Sequence, residues 1–444
     1  MTSPIDVVRR TFRALRIHNF RLFFVSQMVS MSGTWMQSVA QAWLVLDLGG
    51  TSVDLGITVG LQFGPVLFLG AWAGALADRA DKRRLLVFTQ SVAALLALVL
   101  GVLTVTDAIT VWMIWALAGL TGVAVAIDMP SRQSFVYEMA GPDDLANAVG
   151  LNAVVINSSR IIGPAIGGLL IAGVGVAVCF FFNAASFLVV IAALLAMRRG
   201  ELFTARPVRR LPGQVRAGVR YVWHAPALRV PLAMMAVVST LAYNFSVVLP
   251  LLARVVYGRG PGAYGALSAA MGVGALAGAL LMASRARPSR RLLVASTFAF
   301  GLFTLLLAAA PGYLSGLILL VPLGAAGVLF VSTTNSLLQL NADDAMRGRV
   351  MALWAVVFFG STPIGGPLTG LLVRGFGVRA AVAVGGVAAL ATAAGAYLAL
   401  RRQQMQAGVC EAPACLPDDP EPDTVLETAE AAAASAGSAG GRVA

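Results

Sequence analysis

Twelve separate runs of about twenty apolar residues divide this 444-residue chain. A helix needs about 20 apolar residues to cross the roughly 30 Å hydrocarbon core of a bilayer. Since lipid cannot satisfy exposed backbone groups, runs of this length must be helical. The chain is therefore predicted to cross a membrane twelve times. The predicted spans are 22–46, 55–76, 85–105, 108–127, 146–172, 176–197, 229–252, 263–283, 291–310, 313–338, 350–373 and 378–400.

Composition and charge narrow the class of protein. Only 12% of the residues are charged, about half the usual ~25% of a soluble domain, so a soluble enzyme is excluded. The net charge of +12 could suggest a nucleic-acid partner, but almost all the excess lies in short links between apolar runs, so no such partner is expected. The links on one side, with both termini, hold 26 Lys and Arg against four on the other. This bias predicts cytoplasmic termini in the inner or plasma membrane.

Two halves of the sequence look like repeats. The matching elements are Asp143-Asp144 with Asp343-Asp344, and Gly163-Pro164-Ala165-Ile166-Gly167 with Gly366-Pro367-Leu368-Thr369-Gly370. Parallel six-helix repeats with a site between them are typical of transporters. The predicted domains are a cytoplasmic segment 1–21, bundles 22–197 and 229–400, a linker 198–228 and a disordered cytoplasmic tail 401–444. The linker is either an amphipathic helix on the membrane surface or a solvated connector.

The link after the second run reads Gly74-Ala-Leu-Ala-Asp78-Arg79-Ala-Asp81-Lys82-Arg83-Arg84. It resembles the signature of the major facilitator superfamily, although Asp81 stands where glycine is usual. The resemblance implies an all-α membrane protein of twelve transmembrane helices in two six-helix bundles. It also implies that Gly74, Asp78, Arg79 and Arg83 latch the cytoplasmic side in the outward-facing state. The alternative is that the link only anchors the topology.

The fifth run carries a second motif of small residues. It resembles the helix 5 motif of antiporters in the superfamily, with Ser159 replacing one glycine. Small residues form a groove for a neighbouring helix, and proline bends its own helix. The motif indicates either helix packing alone or an exporter-specific function. Its members are Gly150, Ser159, Gly163, Pro164, Gly167 and Gly168.

Three further stretches resemble a narrower group, the drug and siderophore exporters similar to the enterobactin exporter. They are Asp128–Gln133, Asn157–Pro164 and Asn335–Gln339 running into Arg347–Val350. Helices 1, 4, 7 and 10 line the central cavity in this superfamily, and here they carry neutral polar or aromatic side chains. Such faces suit amphiphilic ligands, unless these groups only bond neighbouring helices. The candidate cavity residues are Ser30, Thr34, Gln37, Gln41, Trp112, Trp115, Tyr243, Asn244, Asn335 and Gln339.

Charged residues near the membrane interior are candidates for gating. Asp128 is expected to pair with Arg132 or the Arg79–Arg84 cluster rather than carry protons. Arg160 lies deep within the fifth run, where a charge costs at least ~2.5–3.5 kcal/mol. Its partners are expected to be carbonyls, amides, water or an anionic ligand. It is either a structural clamp or a gating residue.

These observations favour a secondary-active exporter of small hydrophobic or amphiphilic compounds, driven by the proton gradient. A phosphate-binding GxxxxGK[ST] loop is absent, since the only lysine, Lys82, follows Asp81. The alternatives are export of a siderophore or other secreted metabolite, a membrane-embedded enzyme, and a permease subunit for a separate ATPase. No catalytic residue, cofactor or metal is expected. The predicted partners are a small-molecule substrate and the lipid bilayer, and the chain is expected to be a monomer.

Overall fold

The computed structural model describes residues 12–203, 214–284 and 288–410, and this part of the chain is helical. Short 3₁₀ turns lie at Arg13–Arg16 and Arg199–Glu201, and a π-helical turn at Leu252–Val256. The α-helices are α1 (His18–Asp47), α2 (Ser52–Arg79), α3 (Lys82–Val105), α4 (Val111–Gly173), α5 (Val176–Ala196), α6 (Gln214–His224), α7 (Pro226–Leu241), α8 (Phe245–Leu251), α9 (Pro261–Ala283), α10 (Arg290–Ala309), α11 (Tyr313–Asn341), α12 (Asp344–Phe376) and α13 (Val378–Cys410).

Ten helical stretches of the described chain are long and apolar enough to cross a membrane. One of them, α4, has 63 residues and covers two predicted spans. Helix α1 is not among the ten, and polar side chains such as Gln27, Gln37 and Gln41 occur along it. The all-α membrane fold is confirmed, whereas the number twelve stays a prediction.

Two helix starts show how local sequence fixes the boundaries. At α2, the Thr51 hydroxyl accepts from the backbone of Asp54, and the Asp54 carboxylate accepts from the backbone of Thr51. This capping box satisfies amides that the first turn leaves without partners. At α3, Asp81 accepts from the backbone N–H of Arg84 at 3.1 Å. The aspartate that departs from the superfamily signature is thus the N-cap of α3.

The predicted link 128–145 is helical instead of a loop. Helix α4 consists here of two helices that meet at Gly141, whose φ of 68° and ψ of 178° are non-helical and favour glycine. Pro142 follows the kink and has no N–H to continue the hydrogen-bond ladder. The helix persists here because Phe135 and Met139 are fully buried in a cluster that includes Phe20. Apolar packing outside the predicted spans therefore extends the helix.

The predicted span 229–252 is interrupted, because α7 ends at Leu241 and α8 begins at Phe245. The Asn244 side-chain amide donates to the carbonyl oxygen of Thr240 at 2.7 Å. The backbone N–H of Tyr243 reaches Val238, five residues back, at 3.1 Å. A side chain that competes for a helical carbonyl in this way favours a break.

The described chain falls into two units, residues 12–394 and residues from Gly395 onward. In the second unit, the Arg401 guanidinium lies 5.7 Å from the centre of the Tyr397 ring. In the first unit, we call residues 12–203 the first half and residues 214–394 the second half. Helix α4 packs on α1, α2 and α3, while α11 packs on α9 and α10. The halves meet mainly where α2 contacts α12 and α4 contacts α9.

The unit has two ends, which α2 and α12 define because they are antiparallel: Ser52 and Gly56 of α2 contact Gly370 and Gly366 of α12. We call the end with Arg79, Lys82 and Arg349 the basic end. We call the end with Asp47, Arg254 and the last turn of α12 the opposite end. The predicted orientation places the basic end in the cytoplasm.

The described part of the linker contains the amphipathic helix α6. A Cβ at Gly218 would lie 3.2 Å from the Cβ of Arg349, and the Tyr221 hydroxyl donates to Asp343 Oδ2 at 2.8 Å. One face of α6 therefore packs against the start of α12. Its location on a membrane surface stays a prediction. Residues 1–11, 204–213 and 411–444, which hold parts of the predicted N-terminal segment, linker and tail, lie outside the described chain.

Candidate functional site

The contact between α2 and α12 is tight from the opposite end to the middle of α2, where a Cβ at Gly360 would lie 2.7 Å from the Leu67 side chain. A Cβ at Gly56 would lie 2.5 Å from the carbonyl oxygen of Gly366, and Ser52 Oγ donates to the carbonyl of Gly370 at 2.8 Å. Gly70 shares this face of α2 by helical periodicity but lies nearer the basic end. A Cβ there would meet nothing within 4 Å. Close packing of the two helices therefore extends to Leu67 and is not found at Gly70, nearer the basic end.

The contact between α4 and α9 has the same asymmetry. A Cβ at Gly168 would lie 2.9 Å from the Cα of Gly265, and one at Gly272 would lie 2.9 Å from the carbonyl oxygen of Arg160. Gly150 lies further toward the basic end, is exposed, and a Cβ there would meet nothing within 4 Å. Both contacts between the halves thus leave a cleft that opens at the basic end.

An ion pair joins the halves at the opposite end. Arg254 Nη1 lies 2.6 Å from Asp47 Oδ1, and the Arg254 guanidinium lies 5.5 Å from the centre of the Trp43 ring. Asp47 and Trp43 belong to the last turns of α1, and Arg254 belongs to the π-helical turn after α8. We call this group the opposite-end lock.

Arg160 lies where α1, α4 and α9 meet. Its side chain is half-buried, and its guanidinium carbon lies 5.1 Å from the centre of the Trp35 ring on α1. The Asn157 amide, one turn away, donates to the carbonyl of Ala153. Among the described residues, no acidic side chain forms an ion pair with Arg160.

The small residues of the fifth run pack against two neighbouring helices. A Cβ at Gly163 would lie 2.5 Å from the carbonyl oxygen of Ser32, and Ser32 Oγ donates to Ser159 Oγ at 3.2 Å. Gly167 faces α1 as well, at Met36. On the other face, the Pro164 carbonyl approaches Gly265, as Gly168 does. The motif packs α4 against both α1 and α9, and its exporter-specific meaning stays a hypothesis.

The polar side chains of α1 differ in burial: some are buried against neighbouring helices, and others are half-buried. Gln37 accepts from the Asn183 amide of α5 at 2.7 Å, and Ser30 and Gln41 are buried. Thr34 is half-buried and donates to the carbonyl of Ser30 at 2.9 Å. Of the four α1 candidates, Thr34 and Gln37 are therefore half-buried, whereas Ser30 and Gln41 are buried.

Asp128 belongs to a buried network that links three helices. Its carboxylate pairs with Arg132 one turn along α4 and accepts from Thr89 and Gln90 of α3 at 2.9 and 2.8 Å. Arg132 also donates to Gln27 of α1 at 2.8 Å. Asp128 is 5% exposed and is the only acidic residue that is buried in the described chain. The pairing expected from the sequence is present.

The basic cluster after α2 holds the first half together. Arg83 is 8% exposed and donates to the carbonyls of Leu194 and Leu195 at 2.6 and 2.8 Å. These carbonyls lie in the last turn of α5, where the helix itself offers them no donor. Lys82 Nζ lies 2.5 Å from Glu138 Oε1 of α4.

The other latch residues lie at the end of α2, the helix that faces α12. Gly74 is buried, Asp78 is half-buried and Arg79 is exposed. Their action as a latch stays a prediction.

Comparison with known proteins identifies the family. A family model described as transmembrane secretion effector matches residues 9–427. The chain belongs to this family. Its members are transporters of the major facilitator superfamily, so the assignment made from the Gly74–Arg84 link is confirmed.

Three curated relatives cover most of the chain. It is 26% identical over 379 residues to the staphyloferrin A transporter of Staphylococcus aureus, covering 83% of this chain and 93% of the relative. It is 29% identical over 377 residues to the multidrug efflux pump Tap of Mycolicibacterium fortuitum, covering 81% and 90%. It is 25% identical over 366 residues to the enterobactin exporter EntS of Shigella boydii, covering 79% and 84%.

A solved structure has the same fold. The crystal structure of a point mutant of the nucleoside transporter NupG matches with a TM-score of 0.71 at 13% identity, covering 86% of this chain and 99% of that one. The transporter described here is thus a multi-pass membrane protein.

An aromatic cluster in this transporter was not found from the sequence, apart from Tyr243. The Tyr243 ring stacks on Phe300 of α10 at 5.7 Å and lies 6.4 Å from Phe358 of α12. Phe358 stacks on Trp354 at 5.4 Å. The Trp354 indole N–H is buried and has no acceptor within the described residues. Aromatic residues in an apolar helix look like core residues, so only their convergence at the α7–α8 break reveals them.

The remaining cavity candidates lie apart from this cluster. Trp112 is 61% exposed, and Trp115 Nε1 donates to the carbonyl of Asp54 at 3.4 Å. Gln339 is exposed and donates to Asn335 at 2.7 Å. Within the described chain, neither pair has a hydrogen bond or ring contact with the aromatic cluster.

Asn244 lines a small cavity beside the break, together with Phe245, Thr304, Thr369 and Gly385. Its volume is about 10 Å³, which is room for one water molecule. This cavity is therefore too small to be a substrate site. No group of three or more His, Cys, Asp or Glu side chains that could hold a metal occurs among the described residues.

Proposed function

We propose that this transporter is a proton-coupled exporter of small hydrophobic or amphiphilic compounds, working by alternating access. The observation that carries the proposal is the aromatic cluster of Tyr243, Phe300, Trp354 and Phe358 at the break between α7 and α8. Broken helices at the interface of two repeats are where transporters of this architecture hold their substrates. Aromatic walls with a few polar groups bind apolar ligands.

The Trp354 indole adds specificity to this site. Its N–H is buried without an acceptor in the described chain, and an unsatisfied buried donor costs about 1–3 kcal/mol. A substrate that offers an acceptor, such as a carbonyl or ether oxygen, removes that cost. The expected substrate therefore has an apolar or aromatic body and a hydrogen-bond acceptor.

The contacts between the halves support alternating access. The structure is closed at the opposite end by Gly56 against Gly366 and by the lock of Asp47 with Arg254, and it is open at the basic end. With the basic end in the cytoplasm, as the charge bias predicts, this is the state that takes up a substrate for export. We place the protein in the inner or plasma membrane as a monomer, with both termini in the cytoplasm.

We propose the proton gradient as the energy source, without a cofactor. The sequence favours an ion-pairing role for Asp128 over proton carriage. We nevertheless choose it as the acid whose protonation drives the cycle, because it is the buried acid of the described chain and connects α1, α3 and α4 through Arg132, Thr89 and Gln90. Protonation would release its pairing with Arg132 and loosen this network. An intramembrane ionisable residue is by default a candidate for a transport cycle.

Export of a siderophore or another secreted metabolite is the second candidate. Two relatives are named for the transport of staphyloferrin A and enterobactin. The cationic side chain of Arg160 favours this alternative for a substrate that carries negative charge.

The aromatic site is tested by transport of a fluorescent hydrophobic dye in inverted membrane vesicles. Phe358→Ala should raise the dye concentration for half-maximal transport about 5- to 10-fold, because an aromatic pair contributes about 0.5–1.5 kcal/mol beyond its buried area and 1.4 kcal/mol is about tenfold. The matched control is Phe298→Ala on α10, whose ring is 52% exposed. Equal effects of the two variants would contradict the assignment.

A further inference from the structure

Arg160 carries a charge that no acidic side chain of the described chain neutralises. It lies about fourteen residues from the start of its predicted span and thirteen from the end of α4 at Gly173, so roughly 20 Å of helix separates it from either end at 1.5 Å per residue. A long side chain cannot reach either end over that distance. Its contact with Trp35 supplies a ring face, which is worth about 0.5–2 kcal/mol and does not cancel the charge.

The two charged residues that are fully buried in the described first half have partners. Asp128 pairs with Arg132, and Arg83 donates to two carbonyls of α5. Arg160 differs because its side chain is only half-buried and lies on the face of α4 between α1 and α9. A charge at this depth must face protein or water rather than lipid.

The surroundings give an anion access from one end only. Beyond Arg160, toward the opposite end, Gly163 is packed against α1 and Gly168 against α9. Toward the basic end, the same helix exposes Gly150 and Ala153. Arg160 therefore lies at the closed inner end of a cleft that opens at the basic end, with its guanidinium beside an aromatic ring.

We infer that Arg160 and Trp35 form a binding subsite for the anionic group of an amphiphilic substrate, a carboxylate, sulfonate or phenolate attached to an apolar body. The guanidinium donates to the anionic oxygens, and the Trp35 ring packs against the adjoining apolar atoms. Hydrogen bonds to charged groups are among the strongest in proteins. This assignment rests on the proposed export function and names the charge of its substrates.

The test uses two probes that differ by one anionic group, 1-anilinonaphthalene-8-sulfonate and neutral N-phenyl-1-naphthylamine. Their fluorescence is titrated with the full chain in phosphatidylcholine nanodiscs, after subtraction of empty nanodiscs. Arg160→Gln should weaken binding of the sulfonate about tenfold or more and of the neutral probe less than twofold. Arg160→Lys should weaken binding of the sulfonate less than Arg160→Gln does, because lysine keeps the charge but lacks the planar guanidinium. Arg374→Gln removes an exposed arginine outside the cleft and should change neither.

Several results would overturn the inference. If Arg160→Gln weakens binding of both probes equally and lowers the melting temperature, Arg160 is a structural clamp. An unchanged sulfonate affinity would remove it from the site. Displacement of the sulfonate when phosphatidylglycerol replaces part of the lipid would assign the subsite to a lipid headgroup.

If Arg160→Gln does not fold, wild-type protein decides the question. Octanoate should displace the sulfonate probe at lower concentration than octanol, and octanol at lower concentration than octylamine. Any other order would contradict an anionic subsite. Transport of the neutral probe by wild-type proteoliposomes is measured in parallel. If the neutral probe is transported but no preference for anions appears, this inference fails while the export function stands. If neither probe is transported, the export function fails.

Discussion

Breaking the opposite-end lock should shift the transporter toward a state that is open at that end. Arg254→Gln removes both the ion pair with Asp47 and the cation–π contact with Trp43. The two side chains of the pair are 39% and 42% exposed, so the ion pair is worth about 0.2–1 kcal/mol. The contact with the ring adds about 0.5–1 kcal/mol at an exposed site.

Together these contacts favour the closed opposite end by about 1–2 kcal/mol. Since 1.4 kcal/mol is about a factor of ten in an equilibrium constant, Arg254→Gln should raise the ratio of open to closed molecules about 5- to 30-fold. A population that is about 10% open in the wild type would become roughly half open. Asp47→Asn keeps the ring contact and should give a smaller shift.

Double electron–electron resonance measures this shift directly. Spin labels at Thr110→Cys and Leu314→Cys place one exposed reporter at the opposite end of each half, in a background without the native cysteines. The longer-distance population should grow in Arg254→Gln and remain unchanged in Arg374→Gln. Identical distance distributions in wild type and Arg254→Gln would refute the idea that the lock sets this equilibrium.

Three other substitutions test the remaining contacts. Asp78→Asn should slow transport in vesicles without lowering ligand binding, because in the state closed at the basic end its charge would lie near the start of α12, a contact worth about 0.3–2 kcal/mol. Wild-type rates at matched expression would argue against a latch. Gly168→Leu should abolish transport because its side chain would collide with Gly265. The control Gly173→Ala should keep transport, because a Cβ at Gly173 meets nothing within 4 Å. An active Gly168→Leu variant would contradict the packing. Arg83→Gln should lower the melting temperature, since two carbonyls of α5 lose their hydrogen-bond donor. Each buried polar group left without a partner costs about 1–3 kcal/mol. An unchanged melting temperature would show that water replaces the guanidinium.

The sequence contains the features that decide the membrane fold. Apolar runs of about twenty residues predict helices because the bilayer leaves no alternative. The Gly74–Arg84 link and the Gly163–Gly168 motif identify the superfamily, and the structure shows why such residues are needed. Gly163 and Gly168 allow α4 to approach two helices at once, which a side chain at either position would prevent.

Parts of the candidate site could not be predicted because they depend on distant residues. The amide of Gln37 looks like a cavity group on α1, yet it bonds Asn183, 146 residues away. Phe358 and Trp354 look like core residues of an apolar helix, and the role that we propose for them depends on the break at Asn244. Hydrophobic periodicity does not show such a break, because the residues on either side remain apolar.

Proton flux coupled to substrate tests the central proposal most directly. The purified chain is reconstituted in liposomes that contain a pH-sensitive dye, and N-phenyl-1-naphthylamine is added without ATP under an imposed pH gradient. We expect movement of the probe against its gradient, together with a proton flux that requires the probe and that Asp128→Asn abolishes. Probe movement that ignores the pH gradient, or that starts only when ATP and another protein are added, would contradict proton-coupled export by this chain.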